Sequence, residues 1–416
     1  MSKGAAPALA ALVEPLFGGS LPVRLRAWDG SEHGPADAPV VVLKNRRALR
    51  RLAYNPGELG LAQAYVTGDL DVEGDLFDGF RRIWKTIREK DLQAGRPPLV
   101  PTVKTALRYG VVGLPPKAPA SQAKIEGKLH SLLRDRAAIS HHYDLSNEFY
   151  ELILDPHMAY SCAYYSSADE TVEQAQANKL ELIAQKLGVV PGGRHLDIGC
   201  GWGSLSLYLA EKHQVKVLGV TISKEQKAFI DKRIADRGLS DLVEIRLQDY
   251  REVPETGFDS VSSIEMGEHV GAENYPTFVR LIESRLRFGG RALIQQMSRR
   301  DRPGGGDFIE AYIAPDMYMR PVGETVNLIE DAGLEVRDVH MLREHYVTTI
   351  LAWYDQFESN WDKAVAMVGE EVARVWRLYM VGSALVFEEG RMGVDQILAV
   401  KRSPEGESGM PRVRAW

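Results

Sequence analysis

The sequence predicts an α/β protein: a doubly wound, Rossmann-like parallel sheet with a smaller N-terminal α+β domain. Three observations lead there. Residues 195–203, HLDIGCGWG, place the apolar end of a strand (Leu196, Ile198) before a turn holding Gly199, Gly201 and Gly203, and residues 204–210 then carry the polar start and apolar spacing of a helix. Strand, glycine turn and helix start is how such a sheet brings backbone close to a nucleotide-like ligand. Beyond residue 170, apolar runs of strand length alternate with helical spacing, the pattern of a parallel sheet with ligands at its carboxyl edge. Finally, 416 residues suffice for two domains.

In chain order, residues 1–90 form a first domain. Short strands are expected at 24–28 and 40–43, helices from Arg46 and Leu59, a turn-rich segment at 68–74 and a helix over 76–88. Residues 91–135 read as a linker, punctuated by Pro and Gly as far as Pro119. From Gln122 to Asp135 the linker turns helical and basic, with Lys124, Lys128 and Arg134 beside Ile125, Leu129, Leu132 and Leu133. That is either an ordinary surface helix or one that meets a membrane surface through its cations and leucines. The second domain, 136–402, is expected to run helix 171–187, strand 194–198, helix 203–213, strand 216–220, helix 224–237, strands 243–247 and 258–265, helix 274–287 and strand 290–297, before a tail at 403–416.

The bulk numbers narrow the function classes. A net charge of −6 argues against a general nucleic-acid binder. The two cysteines, Cys162 and Cys200, cannot build a disulfide framework, which suits a reducing, cytoplasmic compartment. There is no convincing signal peptide and no uncharged apolar run of about 18 residues, so membrane contact is expected to be peripheral. The adjacent histidines His141 and His142 lack further spaced ligands, and no metal site is expected.

The glycine turn lacks the Lys-Ser/Thr of a phosphate-cradling loop, and Asp197 precedes it. A carboxylate there suits a ligand bearing an amino group and a cation, and S-adenosylmethionine is such a ligand; a glycine turn with no ligand is the plain alternative. Strand 216–220 runs on into Thr221 and Ser223, the latter a helix N-cap before Gln226; Thr221 or Gln226 suits a ribose. Gln248, Asp249 and Tyr250 follow the third strand, where Asp249 suits an adenine amino group and Tyr250 a stacking face. Upstream, residues 140–165 crowd histidines and aromatics together, either as a lid over an apolar pocket or as an ordinary aromatic core.

Seven segments in order, 142–146 (HYDLS), 160–164 (YSCAY), 196–203 (LDIGCGWG), 219–223 (GVTIS), 248–251 (QDYR), 268–271 (EHVG) and 352–354 (AWY), closely resemble the cyclopropane fatty acid synthase family, which includes the mycolic acid methyltransferases. The match runs from about residue 140 to 400, and residues 54–61 and 65–71 resemble the N-terminal domain of the long bacterial members, expected to serve lipid contact or oligomerisation. The resemblance implies a class I methyltransferase fold and methyl transfer from S-adenosylmethionine to the cis double bond of an unsaturated, phospholipid-bound acyl chain. It further implies cofactor contacts from Tyr160, Ser161, Gly199, Gly201, Thr221, Gln226 and residues 248–251, with Gly203 in the same turn. A bicarbonate ion is implied near the transferred methyl, held by Cys162, Glu268, Gln295, Tyr346 and the backbone of Met297; the catalytic set is Glu268, Tyr346, Cys162, Gln295 and His269. Homo-oligomers and a peripheral position on the inner face of the membrane are implied as well.

Attack by an alkene leaves a carbocation that a base must resolve by removing a proton. Ring closure gives a cyclopropane; loss without closure gives a methylene branch, which a separate reductase converts to a methyl branch. Two departures bear on that choice. Gln295 stands where the family usually has histidine and cannot be cationic. Gly267 stands where a bulky apolar residue is common and is expected to open volume beside Glu268. Both lean toward the methylene product. A small-molecule O- or N-methyltransferase would share the glycine turn but not the rest, and a non-catalytic lipid-binding protein is the third reading.

Overall fold

The computed structural model describes residues 4–90, 107–111, 113–123, 145–414 and 416. The expected basic helix lies, from Lys124 onward, outside the described residues, as do His141 and His142. The chain divides into two compact units, one of Met1–Ala123, Asp307–Tyr312 and Trp361–Leu385, the other of Lys124–Gly306, Ile313–Asn360 and Val386–Trp416.

The first unit contains α1 (Ala5–Val13), β1 (Arg24–Arg26), β2 (Glu32–His33), β3 (Val40–Leu43), α2 (Arg47–Tyr54), α3 (Glu58–Val66), β4 (Leu70–Glu73) and α4 (Leu76–Glu89). Its sheet has the order β2-β1-β3-β4, with β1 and β3 parallel. The segment expected as a turn is partly β4: glycines at 68 and 74 bend the chain at either end, while Leu70 is buried opposite Leu43. Asp75 caps α4 by accepting from the amides of Phe77 and Asp78.

This unit also recruits residues that the sequence reading assigned to the 136–402 domain. The Arg374 guanidinium, nine-tenths shielded, pairs with Asp71 at 3.1 Å and bonds the Tyr65 carbonyl. The Ser121 amide donates to Glu371 at 2.7 Å, and the Ala123 amide to the Ala311 carbonyl. A domain continuous in sequence from 136 to 402 is therefore corrected: 307–312 and 361–385 belong with the N-terminal residues.

In the second unit, α5 (Asn147–Glu151) and α6 (Val172–Leu187) precede β5 (Arg194–Ile198), α7 (Ser204–His213), β6 (Lys216–Thr221), α8 (Lys224–Asp236), β7 (Val243–Leu247), β8 (Phe258–Ile264), α9 (Tyr275–Arg285) and β9 (Leu286–Ser298). After these come α10 (Asp307–Tyr312, in the first unit), α11 (Val322–Asp331), β10 (Glu335–Met341), α12 (Arg343–Ser359), α13 (Trp361–Val368) and α14 (Glu370–Glu388), which fall largely to the first unit, and β11 (Gly393–Val400). The strand order is β10-β11-β9-β8-β5-β6-β7, with β5 to β9 parallel and β11 antiparallel to both neighbours. Apolar side chains cover both faces. One cluster joins Ile198, Val220, Phe278 and Ile294, the other Ile183, Leu209, Val217 and Ile230, as a doubly wound sheet requires. The carboxyl ends of β5, β6 and β8 thereby stand side by side.

Replacing Asp71 by Ala leaves Arg374 shielded with, among the described residues, only the exposed Glu370 as an ionic partner. The variant is expected to lose about 2 kcal/mol, less than for a fully buried pair, read as a fall in calorimetric Tm; an unchanged Tm contradicts this.

Candidate functional site

A cavity opens at the carboxyl ends of these strands. Its lining includes Tyr160, Ser161, Asp197, Gly199, Gly201, Trp202, Thr221, Gln226, Gln248, Asp249, Tyr250, Glu265 and His269. Gly199 and Gly201 have φ of 76° and 55°, a backbone that L side chains rarely adopt, and a Cβ on Gly201 would meet nothing within 4 Å. At Gly201 the turn therefore presents bare backbone to open space, whereas a Cβ on Gly199 would meet Met266 at 2.9 Å. Thr221 donates its hydroxyl to the Gln226 side chain at 2.8 Å, pairing the two at the mouth of β6. Asp249 accepts from the Arg251 guanidinium at 2.7 Å and from its amide, so its carboxylate is held at the cavity rim beside the Tyr250 ring.

Three expected cofactor residues have other duties. Ser223 caps α8 by accepting from the Gln226 amide and does not line the cavity. Gly203 is also off the lining; a Cβ there would meet Ile230 at 3.0 Å, so its glycine serves helix packing. Asp197 lines the cavity, but its oxygens accept from the Ser206 and Ser262 hydroxyls at 2.7 and 2.8 Å. It ties the start of α7 to β8. Burial pushes its carboxyl up, and those hydroxyls draw it partly back. Behind it the fully buried His195 bonds Ser260 and Ser262; burial drops its pKa to about 3, which keeps the ring neutral.

The catalytic expectations divide. Gln295 and Tyr346 do converge, but on Glu265, a residue the sequence reading passed over. One oxygen of Glu265 accepts from the Cys162 amide at 2.8 Å and from the Gln295 amide nitrogen at 2.7 Å; the other accepts from the Tyr346 hydroxyl at 2.6 Å. The Gln295 carbonyl in turn accepts from Gln396. Groups expected to hold a bicarbonate ion are thus bonded to a carboxylate of the chain itself, and the residues present do not fit that ion. Glu265 is half-buried, and because it lines the cavity, the surface it keeps faces the cavity. Burial raises its carboxyl, while the bonds from Tyr346, Cys162 and Gln295 and the charge of Lys179 lower it.

Glu268 stands apart from this cluster. Neither of its oxygens makes a well-formed hydrogen bond among the described residues, and burial, followed by the charge on Glu265, pushes its carboxyl well above the usual range. The Met297 amide lies beside Glu268, not Glu265. His269 lines the cavity. The Cys162 thiol points away, toward the Ala163 and Leu342 carbonyls, and burial raises it well above a free thiol; its contribution is its main-chain N–H. Gly267 opens no space: a Cβ there would sit 2.1 Å from the Gln296 side chain, which is bonded to Tyr275 and Thr325. The expected extra volume is filled by protein.

Lys179 was also missed. Fully buried on α6, it donates to the Ser161 hydroxyl at 2.7 Å, and Gln176, one turn earlier, donates to the Ala159 and Ser161 carbonyls. Polar residues at core spacing (Gln176, Lys179 and Lys186, in line with the apolar Ile183) on an otherwise apolar helix face were the available signal. The Tyr160 ring on the cavity lining is backed by further aromatics: Tyr160 lies 5.3 Å from Trp353, Trp353 lies 6.0 Å from Tyr346, and Tyr346 lies 4.6 Å from Phe387.

A sheet of this order with its cavity at the first strand ends defines a class I methyltransferase domain. Coclaurine N-methyltransferase shares the fold at TM-score 0.63, with 20% identity over 82% of this chain and 98% of that one. The particular family follows from sequence. Residues 130–397 match the mycolic acid cyclopropane synthetase family, and the chain belongs to it. It is 41% identical to a probable fatty acid methyltransferase of Mycobacterium tuberculosis, over 96% of this chain and 95% of that protein. It is 34% identical to the cyclopropane-fatty-acyl-phospholipid synthase of Escherichia coli, over 85% and 86%. The crystal structure of mycolic acid cyclopropane synthase CmaA1 complexed with SAH and CTAB matches with TM-score 0.61 and 31% identity, covering 64% of this chain and 97% of that one.

Because the Cys162 and Cys200 thiols are buried and raised, neither is expected to react with a disulfide reagent until the protein unfolds. Absorbance of the released thiolate, followed with and without denaturant, checks this; rapid labelling of the native protein contradicts it.

Proposed function

We propose that this enzyme methylates the cis double bond of an unsaturated acyl chain esterified in a phospholipid, of the oleoyl type, and that its product is a 10-methylene branch. Its family makes it an S-adenosylmethionine-dependent methyltransferase acting on lipid double bonds. The residues at the cavity fit that donor. Bare backbone at Gly201, beside Gly199 on the lining, admits its methionyl part, Thr221 with Gln226 meets the ribose, and Asp249 and Tyr250 meet the adenine. Tyr160 and Ser161 close the near side. When bound, the donor supplies an electrophilic methyl group.

The chain's own work follows from the acceptor. An alkene is a weak nucleophile with no proton to remove beforehand, so rate must come from positioning and from excluding water. After attack, positive charge sits on the neighbouring carbon. A carboxylate and aromatic faces stabilise it; Glu265 and the Tyr160 ring, backed by Trp353 and Tyr346, supply both. The single observation that carries this reading is that carboxylate, gripped by three donors on the cavity wall.

Three donors also weaken a carboxylate as a base. Slower proton removal gives time for a 1,2-hydride shift from the methyl-bearing carbon to its cationic neighbour, which moves the positive charge onto the methyl-bearing carbon; loss of a methyl proton then leaves an exocyclic methylene. The neutral amide of Gln295 beside Glu265 and the near full-length relative named a fatty acid methyltransferase support the same product. Gly267, whose space is filled, does not bear on it. A separate reductase would be needed to saturate the branch. The enzyme is further proposed to act as a homo-oligomer held peripherally at the cytoplasmic face of the membrane; among the described residues no helix is long and apolar enough to cross one.

Incubation with S-adenosylmethionine and oleoyl phospholipid vesicles is expected to give a lipid with vinylidene protons by NMR and a branch point located by mass spectrometry. High-field cyclopropane protons overturn the product assignment, and the absence of any new carbon overturns the acceptor. Gly201→Val, which puts a strained side chain into the cavity, is expected to abolish calorimetric binding of S-adenosylhomocysteine while leaving the circular dichroism spectrum intact. Neutralising Lys124, Lys128 and Arg134 together is expected to weaken sedimentation with anionic vesicles; unchanged sedimentation rules these cations out as a membrane contact.

A further inference from the structure

Two acidic side chains lie three residues apart at the end of β8, and their surroundings differ: burial raises both carboxyls, but only Glu265 has hydrogen-bond donors that draw it back. Glu265 accepts three hydrogen bonds, one from the backbone, one from an amide and one from a phenol. Donors of this kind favour the ionised form. Glu268 is almost wholly shielded, with no well-formed bond to either oxygen and a carboxylate as neighbour. Such surroundings favour the protonated form. Environments that separate a carboxyl pair in this way assign the base and the acid between them.

The backbone points the same way. Glu265 has φ of 51°, in the left-handed region, where a residue other than glycine costs about 1 kcal/mol. Met266, next along, packs where a Cβ on Gly199 would go, so the segment cannot relax without disturbing the glycine turn. Such strain persists when the rest of the structure holds it. Here it aims the carboxylate back over Cys162, between β9 and α12. A carboxylate has about four acceptor positions on its two oxygens. Three are used, which leaves one on the oxygen that bonds Tyr346, on a residue whose remaining surface faces the cavity.

We infer that Glu265 is the catalytic base of this enzyme, held by the Cys162 amide, Gln295 and Tyr346, so that the reaction needs no dissociable anion. The inference rests on the acyl-methylation reading above. In the step, once the hydride shift has placed the positive charge on the methyl-bearing carbon, a C–H bond of the newly added methyl group breaks, its electron pair becomes the second bond between the two carbons, and the proton goes to the free position on Glu265. The carboxylate becomes the acid, the hydrocarbon becomes neutral, and the proton leaves to solvent after the product departs. Tyr346 is a positioning residue with respect to this carboxylate.

The test uses the full chain and the position's own backbone. Glu265→Gln keeps the shape and removes the base; Glu265→Gly relieves the strained φ and leaves a carboxylate-sized gap facing the same three donors. Turnover on oleoyl phospholipid is expected to fall at least about a hundredfold in both variants, in the range for loss of a general base, with calorimetric binding of S-adenosylhomocysteine unchanged. Formate is expected to bind Glu265→Gly but not the wild type, and to restore turnover to Glu265→Gly alone. The larger loss is expected in Glu265→Gln, not Glu268→Gln. Turnover of Glu265→Gln in the wild-type range overturns the inference, as does formate that binds Glu265→Gly without restoring turnover. A wild-type enzyme that binds S-adenosylhomocysteine yet leaves the lipid unchanged defeats instead the acyl-methylation reading, and the inference with it.

Discussion

The interaction on which the rest depends is the grip on the Glu265 carboxylate. Its three donors come from three parts of the second unit: the segment after Tyr160, the carboxyl half of β9, and the first turns of α12. A charge in a shielded place is tolerable only when it is bonded on several sides. Each of those segments must therefore arrive in register for the fold to close around it. The same grip places a negative charge against the cavity in which a positive charge is to form, with no reorganisation needed at that moment.

Supporting layers keep the donors in place. Gln295 is steered by Gln396 on the neighbouring antiparallel strand, and Gln296, facing the other way, is pinned by Tyr275 and Thr325. Under the glycine turn, the chain His195–Ser262–Asp197–Ser206 ties β5, β8 and α7 together. Lys179 and Gln176 clamp the Ala159–Ser161 strip from α6. Satisfied networks of this kind specify one arrangement of the core, because any other leaves a shielded polar group without a partner. Geometry at the reacting carbon is thus inherited from contacts far outside the cavity.

Much of this was legible in the sequence, and the failures have physical causes. From Thr171 to Ser298 the expected strands and helices match within a few residues, because strong strand and helix periods alternate there and Thr171 and Ser223 are real caps. The glycine turn and the strand-end groups at Thr221, Gln226 and Asp249 were found because their chemistry follows from position along a parallel sheet. Glu265 was missed because its role depends on a left-handed backbone and on partners 30, 81 and 103 residues away. Glu268 and His269 drew attention as a motif, although the donors go elsewhere. Gly267 was misread because Gln296, which fills its space, is contributed by a different strand. The return of 307–312 and 361–385 to the N-terminal unit left no mark in local composition; it rests on pairs such as Arg374 with Asp71.

The account's central claim is that a methyl group is added to a lipid alkene and then loses one proton to the protein. Supplying S-adenosylmethionine deuterated at the methyl group, with oleoyl phospholipid, and weighing the acyl product by mass spectrometry tests it most directly. The account predicts that the added carbon retains two of its three deuterons. A product that keeps all three, or a lipid that gains no deuterium, would contradict it.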